Sequence, residues 1–242
     1  MAASITTSKK ELRKKIKSIL SRLPEAAAAT QSFNATKAVL SMPEYKAANR
    51  ISVYLSMPSG EISTSGIVHD ALKQGKRVFI PYTYKLTSPK EGQPKSIMDM
   101  LELQSVGDYE SLKPDKWDIP TPNEDSISSR ANCFGGMGIT QGETTPSEEC
   151  LDLIIMPGMA FDCHLGRLGH GKGFYDYFLS RCHAISQLPF RANSRVVALA
   201  LTEQILPINQ DIPMDVRDYC LDAIALGSGD ILRRNVHLDS EK

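Results

Sequence analysis

Residues 151–181, LDLIIMPGMAFDCHLGRLGHGKGFYDYFLSR, constrain the chain more than any other stretch. Leu151 to Met156 is a short continuous apolar run of the kind that fills a buried strand. Pro157-Gly158 turns the chain, and glycines follow at 166, 169, 171 and 173. Phe174 to Leu179 reads as the opening turns of a helix. Strand, glycine-rich loop and helix, in that order, aim free backbone N–H groups and the positive end of a helix dipole at one place, which suits phosphate. Arg167, His170 and Lys172 add side-chain cations to the same loop.

The loop matches a P-loop and then departs from it. Gly166 to Lys172 fits G-x-x-x-x-G-K, but Gly173 stands where a P-loop carries the Ser or Thr that holds magnesium. Asp176 is the nearest replacement, four residues after Lys172 and on the same face of a helix that starts at the loop's end. A flexible surface loop with an incidental lysine and aspartate is the alternative. The pattern specifies phosphate without specifying which phosphate compound.

The rest of the chain alternates helical and strand patterns. Ser8-Lys9-Lys10-Glu11 has capping-box spacing, and Leu12, Ile16, Ile19, Leu20 and Leu23 recur at helical intervals behind it. Lys9, Lys10, Arg13, Lys14 and Lys17 occupy the opposite side, as a solvated face would. Pro24 suits the first position of a second helix that Pro43 ends. In RISVYLSM, residues 50–57, Ile51, Val53 and Leu55 alternate with Ser52, Tyr54 and Ser56, the pattern of a strand with one buried face. A helix is expected from Glu61 through Leu72, closed by Gly75, and Arg77 to Tyr84 forms the next strand. Ser96 to Leu103, Arg195 to Leu201 and Cys220 to Leu226 read as further strands. Trp117 lies in a proline-bracketed loop, where it either plugs the core or offers a flat surface. Residues 124–150 lack periodicity and are expected to be a mobile insertion, 182–194 a polar connection, and 227–242 a loosely held tail. The alternation predicts one α/β domain over residues 1–242 with a largely parallel sheet.

Composition excludes several classes. A net charge of zero argues against a nucleic-acid binder that relies on overall basicity. Five cysteines without C-x-x-C spacing suit a reducing compartment, and Cys163-His164 is a lone pair rather than a zinc cluster. No apolar run reaches membrane-span length. The acid-poor N-terminus is faintly similar to a mitochondrial presequence, yet Glu11 and the apolar spacing behind it predict a folded helix. A cytosolic location is expected.

PGMAFD followed by RLGHGKGFYD resembles the signature of the 5-formyltetrahydrofolate cyclo-ligase family, also called 5,10-methenyltetrahydrofolate synthetases. The likeness extends to Lys9–Arg13, to RISVYLSM with Glu61, to MDM and Trp117 before IP, and to ALALTEQI before Asp211. His170 stands where arginine is common and Phe174 where tyrosine is common, so the charge of this phosphate loop depends on pH. The resemblance implies a three-layer α/β/α fold similar to the ribose-phosphate isomerase and CoA-transferase group. It implies ATP- and magnesium-dependent closure of 5-formyltetrahydrofolate, with or without a polyglutamate tail, to 5,10-methenyltetrahydrofolate by a monomer. Lys172 and Arg167 would neutralise charge developing in the transferred phosphoryl group. Lys9, Lys10, Arg13, Leu168, Gly169, His170, Gly171, Gly173, Phe174 and Tyr175 would complete the ATP site with them. Leu55, Met57, Glu61, Trp117 and Tyr175 would meet the folate, and Asp176 with Asp211 would hold magnesium. A small-molecule kinase, a sugar-phosphate isomerase and a folate binder without turnover are the other readings.

Overall fold

The computed structural model describes residues 2–143, 151–185, 195–215 and 218–234. Helices α1 (Ala2–Leu20), α2 (Glu25–Ser41) and α3 (Pro43–Ala47) open the chain. Strand β1 (Arg50–Val53), helix α4 (Ser65–Lys73), strands β2 (Arg77–Lys85) and β3 (Ser96–Leu103) and helix α5 (Val106–Glu110) follow. The short strands β4 (Lys113–Pro114) and β5 (Pro120–Thr121) form a hairpin, and α6 (Glu124–Ile127) leads into the segment across the edge of the sheet. The second half holds β6 (Leu153–Met156), β7 (Ala160–Phe161), β8 (Arg167–Leu168), α7 (Phe174–Ile185), β9 (Arg195–Ala200), β10 (Ala223–Leu226) and β11 (Ile231–Arg233).

Among the described residues, seven strands form one sheet in the order β11-β10-β9-β6-β1-β2-β3. The five inner strands run parallel, and β11 and β3 pair antiparallel at the two edges. Alternate residues of the inner strands divide between two cores. Ile51, Val53, Ile155, Val197 and Leu199 pack with Leu12 and Ile16 of α1, Val39 of α2 and Ile67 of α4. Phe79, Ile154, Met156, Val196 and Ala198 face the other way and pack with Phe178 and Leu179 of α7 and with Phe134. Helices therefore cover both faces, giving the three-layer α/β/α arrangement of a parallel sheet. Each fully buried Ile, Val or Phe in these layers contributes about 1.5–3 kcal/mol of transfer free energy.

Several local expectations change for identifiable reasons. β1 ends at Val53, and all four of its residues are buried, so Ser52 faces the second core rather than water. α1 begins at Ala2, which leaves Ser8 inside the helix instead of capping it. Pro24 is the N-cap of α2, one position before its first helical residue. α4 starts at Ser65, not Glu61, because the Glu61 carboxylate folds back onto the Met57 N–H at 2.6 Å. Gly75, at φ 73°, supplies the left-handed residue that stops this helix as expected. α7 continues to Ile185, so residues 182–185 are helical, and 186–194 lie outside the described residues.

The segment expected to be mobile is packed as far as residue 143. Asn132, Cys133 and Phe134 are buried, and Leu101 bridges Asn132 at the edge of the sheet. At its centre is Asp99, fully buried, which accepts from Arg181 at 2.7 Å, Asn132 at 3.0 Å, Tyr84 at 3.0 Å and the Thr140 N–H at 2.7 Å. One carboxylate thus ties β3, this segment and α7 together, with both oxygens satisfied as burial demands. Residues 144–150 and 235–242 lie outside the described residues.

Candidate active site

The strand order reverses between β1 and β6. From β1 the chain adds β2 on one side, whereas β6, β9 and β10 build outward on the other. The carboxyl ends of two such strands leave a crevice, the usual ligand position in open α/β sheets. The loop after β1 carries Met57 and Glu61, and the loop after β6 carries the glycines.

The glycine stretch is divided. Arg167 and Leu168 form β8 against β7, and Gly166 is buried with its N–H on Asp162 Oδ1 at 2.8 Å. A Cβ at Gly166 would stand 2.5 Å from that carboxylate. Gly166 is therefore structural, and the likeness to a P-loop ends there. Leu168 is buried in the first core, so only its backbone borders the site, and its carbonyl accepts from the Met159 N–H at 2.7 Å. The open loop runs from Gly169 to Gly173, with left-handed φ of 98° at Gly171 and 69° at Gly173. Among the described residues, the N–H groups of 171–173 have no hydrogen-bond partner, and α7 begins directly after them. Lys172 extends into solvent above them, and Phe174 packs against the second core.

α1 closes this loop from the other side. Arg13 Nε donates to the Gly169 carbonyl at 2.7 Å, and its guanidinium lies 3.3 Å from where a Gly171 Cβ would be. Desolvation lowers the Arg13 pKa from its ordinary value, opposed by the nearby Asp218. Lys9 pairs with Asp218 and stands 3.8 Å from Asp215. Of the three basic residues expected here, Arg13 touches the loop, Lys9 is held by Asp218, and Lys10 is exposed. His170 is exposed at the loop's crest. Desolvation first, then Arg167 and Arg13, lower its pKa from 6.5, so it is mostly neutral at pH 7 in the free protein.

Arg167 and Asp176 meet at 2.8 Å, with only 4% of the arginine side chain exposed. The arginine lies over the Tyr175 ring at 6.0 Å. Two buried donors there have no partner among the described residues, Arg167 Nε and the Tyr175 hydroxyl. Burial and then Tyr175's acidic neighbour Glu61 raise the phenol pKa, against the lowering effect of Arg167, so it stays a neutral O–H. Glu61 is itself buried, and desolvation pushes its carboxyl up to about 7 despite the Met57 N–H. Unfilled donors, one of them near a buried carboxylate, are what a polar ligand would satisfy.

Glu61 and Met57 also line a cleft of about 500 Å³ between the β1 loop and α2, walled by Ser32, Phe33 and Thr36. Leu55 is buried in the first core and is not part of that wall. Trp117 neither plugs the core nor lines this cleft. It is 57% exposed on the β4–β5 hairpin with Lys116 over its ring at 4.1 Å. Asp211 is exposed and lies beside His164 at 3.7 Å. It belongs to a group with Cys163 and His164 that does not include Asp176. As hard oxygen donors, Asp176 and Asp211 would suit magnesium, which would neutralise charge on phosphate oxygens.

The sequence matches the 5-formyltetrahydrofolate cyclo-ligase family over residues 5–227. The chain belongs to this family. It is 37% identical over 217 residues to a Schizosaccharomyces pombe protein named "Probable 5-formyltetrahydrofolate cyclo-ligase", covering 89% of this chain and 93% of that one. It is 34% identical over 224 residues to the 5-formyltetrahydrofolate cyclo-ligase of Mus musculus, covering 92% and 95%. The fold is similar to the NMR structure of Aquifex aeolicus 5,10-methenyltetrahydrofolate synthetase, with a TM-score of 0.64 over 97% of this chain and 96% of that one at 24% identity. Three aspartates that hold the surrounding segments escape motif reading: Asp162 under the glycines, Asp218 on Lys9, and Asp99 on Arg181 of α7. Each is one aspartate among many, and only its distant partners reveal it.

Proposed function

We propose that the chain performs the reaction its family is named for, ATP-dependent ring closure of 5-formyltetrahydrofolate to 5,10-methenyltetrahydrofolate with release of ADP and phosphate. One observation carries the reading. A donor-rich glycine loop at a helix start and a buried acceptor, Glu61, meet at a single strand-order reversal, with Tyr175 between them. The family match over residues 5–227 disfavours a small-molecule kinase or a sugar-phosphate isomerase.

The chemistry explains both halves. A formamide oxygen is a poor leaving group, so the neighbouring anilino nitrogen closes on the carbonyl carbon only after that oxygen receives the γ-phosphoryl group. Nitrogen attack then forms the ring, and phosphate leaves with the oxygen. Glu61 accepts from the pterin amino and ring N–H groups and fixes the formyl group toward the loop. The N–H groups of 171–173, with Lys172, Arg167 and Arg13, receive the phosphates and stabilise charge as it moves, the protein's main share in phosphoryl transfer. Asp176 and Asp211 would hold magnesium, which supplies charge neutralisation at the phosphate oxygens. Arg167 is preorganised by Asp176, so little is lost in ordering it. Among the described residues, Cys133, Cys163, Cys182 and Cys220 form no disulfide, and we take the protein to be a monomer of the reducing cytosol.

The test is ADP release with ATP and magnesium, with and without 5-formyltetrahydrofolate, beside Lys172→Ala. Folate-dependent release that drops about 30- to 1000-fold in the variant is expected, from about 2–4 kcal/mol per preorganised charge. A folded wild type without folate-dependent release would overturn the reading.

A further inference from the structure

Cys163 and His164 are adjacent in sequence and, alone, make no metal site. Folding supplies a third donor from 47 residues further along the chain, since Asp211 follows His164 by 211 − 164. The thiol sulfur, an imidazole nitrogen and a carboxylate oxygen all lie within 4.8 Å of one another, and His164 Nε2 is 3.7 Å from Asp211 Oδ1. A tetrahedral zinc ion with bonds of about 2.0–2.3 Å sets its ligand atoms roughly 3.3–3.7 Å apart. The three side chains are exposed, so small rotations close the remaining gap and leave the outer position for water.

The backbone beneath them is fixed. Asp162 is 2% exposed and accepts from the His164 N–H at 2.9 Å through Oδ1 and from the Ile212 N–H at 2.8 Å through Oδ2. The Phe161 carbonyl, just before Asp162, accepts from the Leu206 N–H at 2.8 Å, which ties the same two segments together a second time. One buried carboxylate thus staples the turn that bears Cys163 and His164 to the segment that bears Asp211, and the donors are brought together before any metal arrives. The donor set differs from that of an ordinary acidic patch. Sulfur with imidazole and one carboxylate selects borderline ions of the zinc type over magnesium.

We propose that Cys163, His164 and Asp211 form a binding site for a zinc-type divalent cation, separate from Asp176. Binding takes the proton from the Cys163 thiol, now weakly engaged with the Ile208 carbonyl at 3.8 Å, and places the thiolate on the metal. Resting on the reading that Asp211 serves the nucleotide's magnesium, occupancy withdraws that carboxylate and slows ring closure.

The experiment titrates the full-length protein with cobalt(II), under a phosphine reductant, beside Cys163→Ser and His164→Gln. The expected wild-type result is one equivalent of cobalt with tetrahedral visible bands and a thiolate-to-metal charge-transfer band, displaced by zinc. Cys163→Ser loses the charge-transfer band, and both variants bind zinc at least 10-fold more weakly. A wild type without those bands, or variants that bind as the wild type does, would overturn the site. A second arm adds zinc to the magnesium-dependent ADP assay. Inhibition relieved by Cys163→Ser supports the site and its link to Asp211, whereas cobalt bands without inhibition keep the site and overturn the magnesium role of Asp211.

Discussion

Glu61→Gln should make the free protein more stable and the enzyme worse. Burial raises the Glu61 carboxyl from 4.5 to about 7. A raised folded pKa means that the fold prefers the protonated form. That preference contributes stability fully below pH 4.5 and is lost as pH climbs through 4.5 toward 7. Above that window the fold carries the whole cost of a buried charge. The interval from 4.5 to about 7, at 1.36 kcal/mol per pH unit, amounts to about 3 kcal/mol. Glutamine keeps an oxygen for the Met57 N–H, preserves the shape of the turn and carries no charge. Urea unfolding of the ligand-free proteins at pH 4, 5, 6, 7 and 8 should show near-equal stability at pH 4. By pH 8 a gap of about 3 kcal/mol should have opened in favour of glutamine. At pH 7.5 the same variant should raise the KM for 5-formyltetrahydrofolate 10-fold or more, because an amide presents one acceptor where a carboxylate presents two. A stability difference that does not change with pH would refute the reasoning. Retention of a destabilising acid is the expected mark of a group kept for its ligand.

Asp99→Ala leaves Arg181 buried without its counter-charge and should cost about 3–5 kcal/mol, read as a lower urea midpoint. Gly158→Ala puts a Cβ 2.5 Å from Phe161 Cζ in a fully buried ring and should cost about 1–3 kcal/mol, seen as a lower Tm. His170, whose pKa is lowered by desolvation, Arg167 and Arg13, should take up a proton when nucleotide phosphate arrives. ADP affinity should therefore rise from pH 8 to pH 6, and calorimetry in buffers of different ionisation enthalpy should detect proton uptake that His170→Asn abolishes. Equal uptake in both proteins would assign the proton elsewhere.

The strands and the phosphate loop were legible because their signals are local. A continuous apolar run, a glycine series and a helix start need no partner to be recognised. Sidedness in RISVYLSM was misread because Ser52 and Tyr54 look like a wet face, whereas helices cover both sides of β1 and bury them. Glu61 was expected to open a helix because a carboxylate suits that position. The structure instead spends it on the Met57 N–H inside a turn. Gly166 counted as phosphate-binding by spacing, yet Asp162 claims its N–H, and Asp162 acts through Ile212, 50 residues away. The segment 124–143 lacks periodicity because polar bonds to Asp99, rather than an apolar stripe, hold it in place.

The clamp of α1 on the glycine loop has a consequence for how the protein is made. Lys9 and its partner Asp218 are 209 residues apart, and Arg13 reaches Gly169 across 156. On the ribosome, the first helix emerges long before either partner exists and waits with its apolar face uncovered. The central pairing of β1 with β6 is delayed in the same way, since Ile51 meets Leu153. Loop closure over such separations is slow, and surface exposed meanwhile invites association. Nucleotide therefore has no complete pocket to bind until the chain is nearly finished. It can stabilise the folded enzyme by mass action, but it cannot guide the early stages of its synthesis.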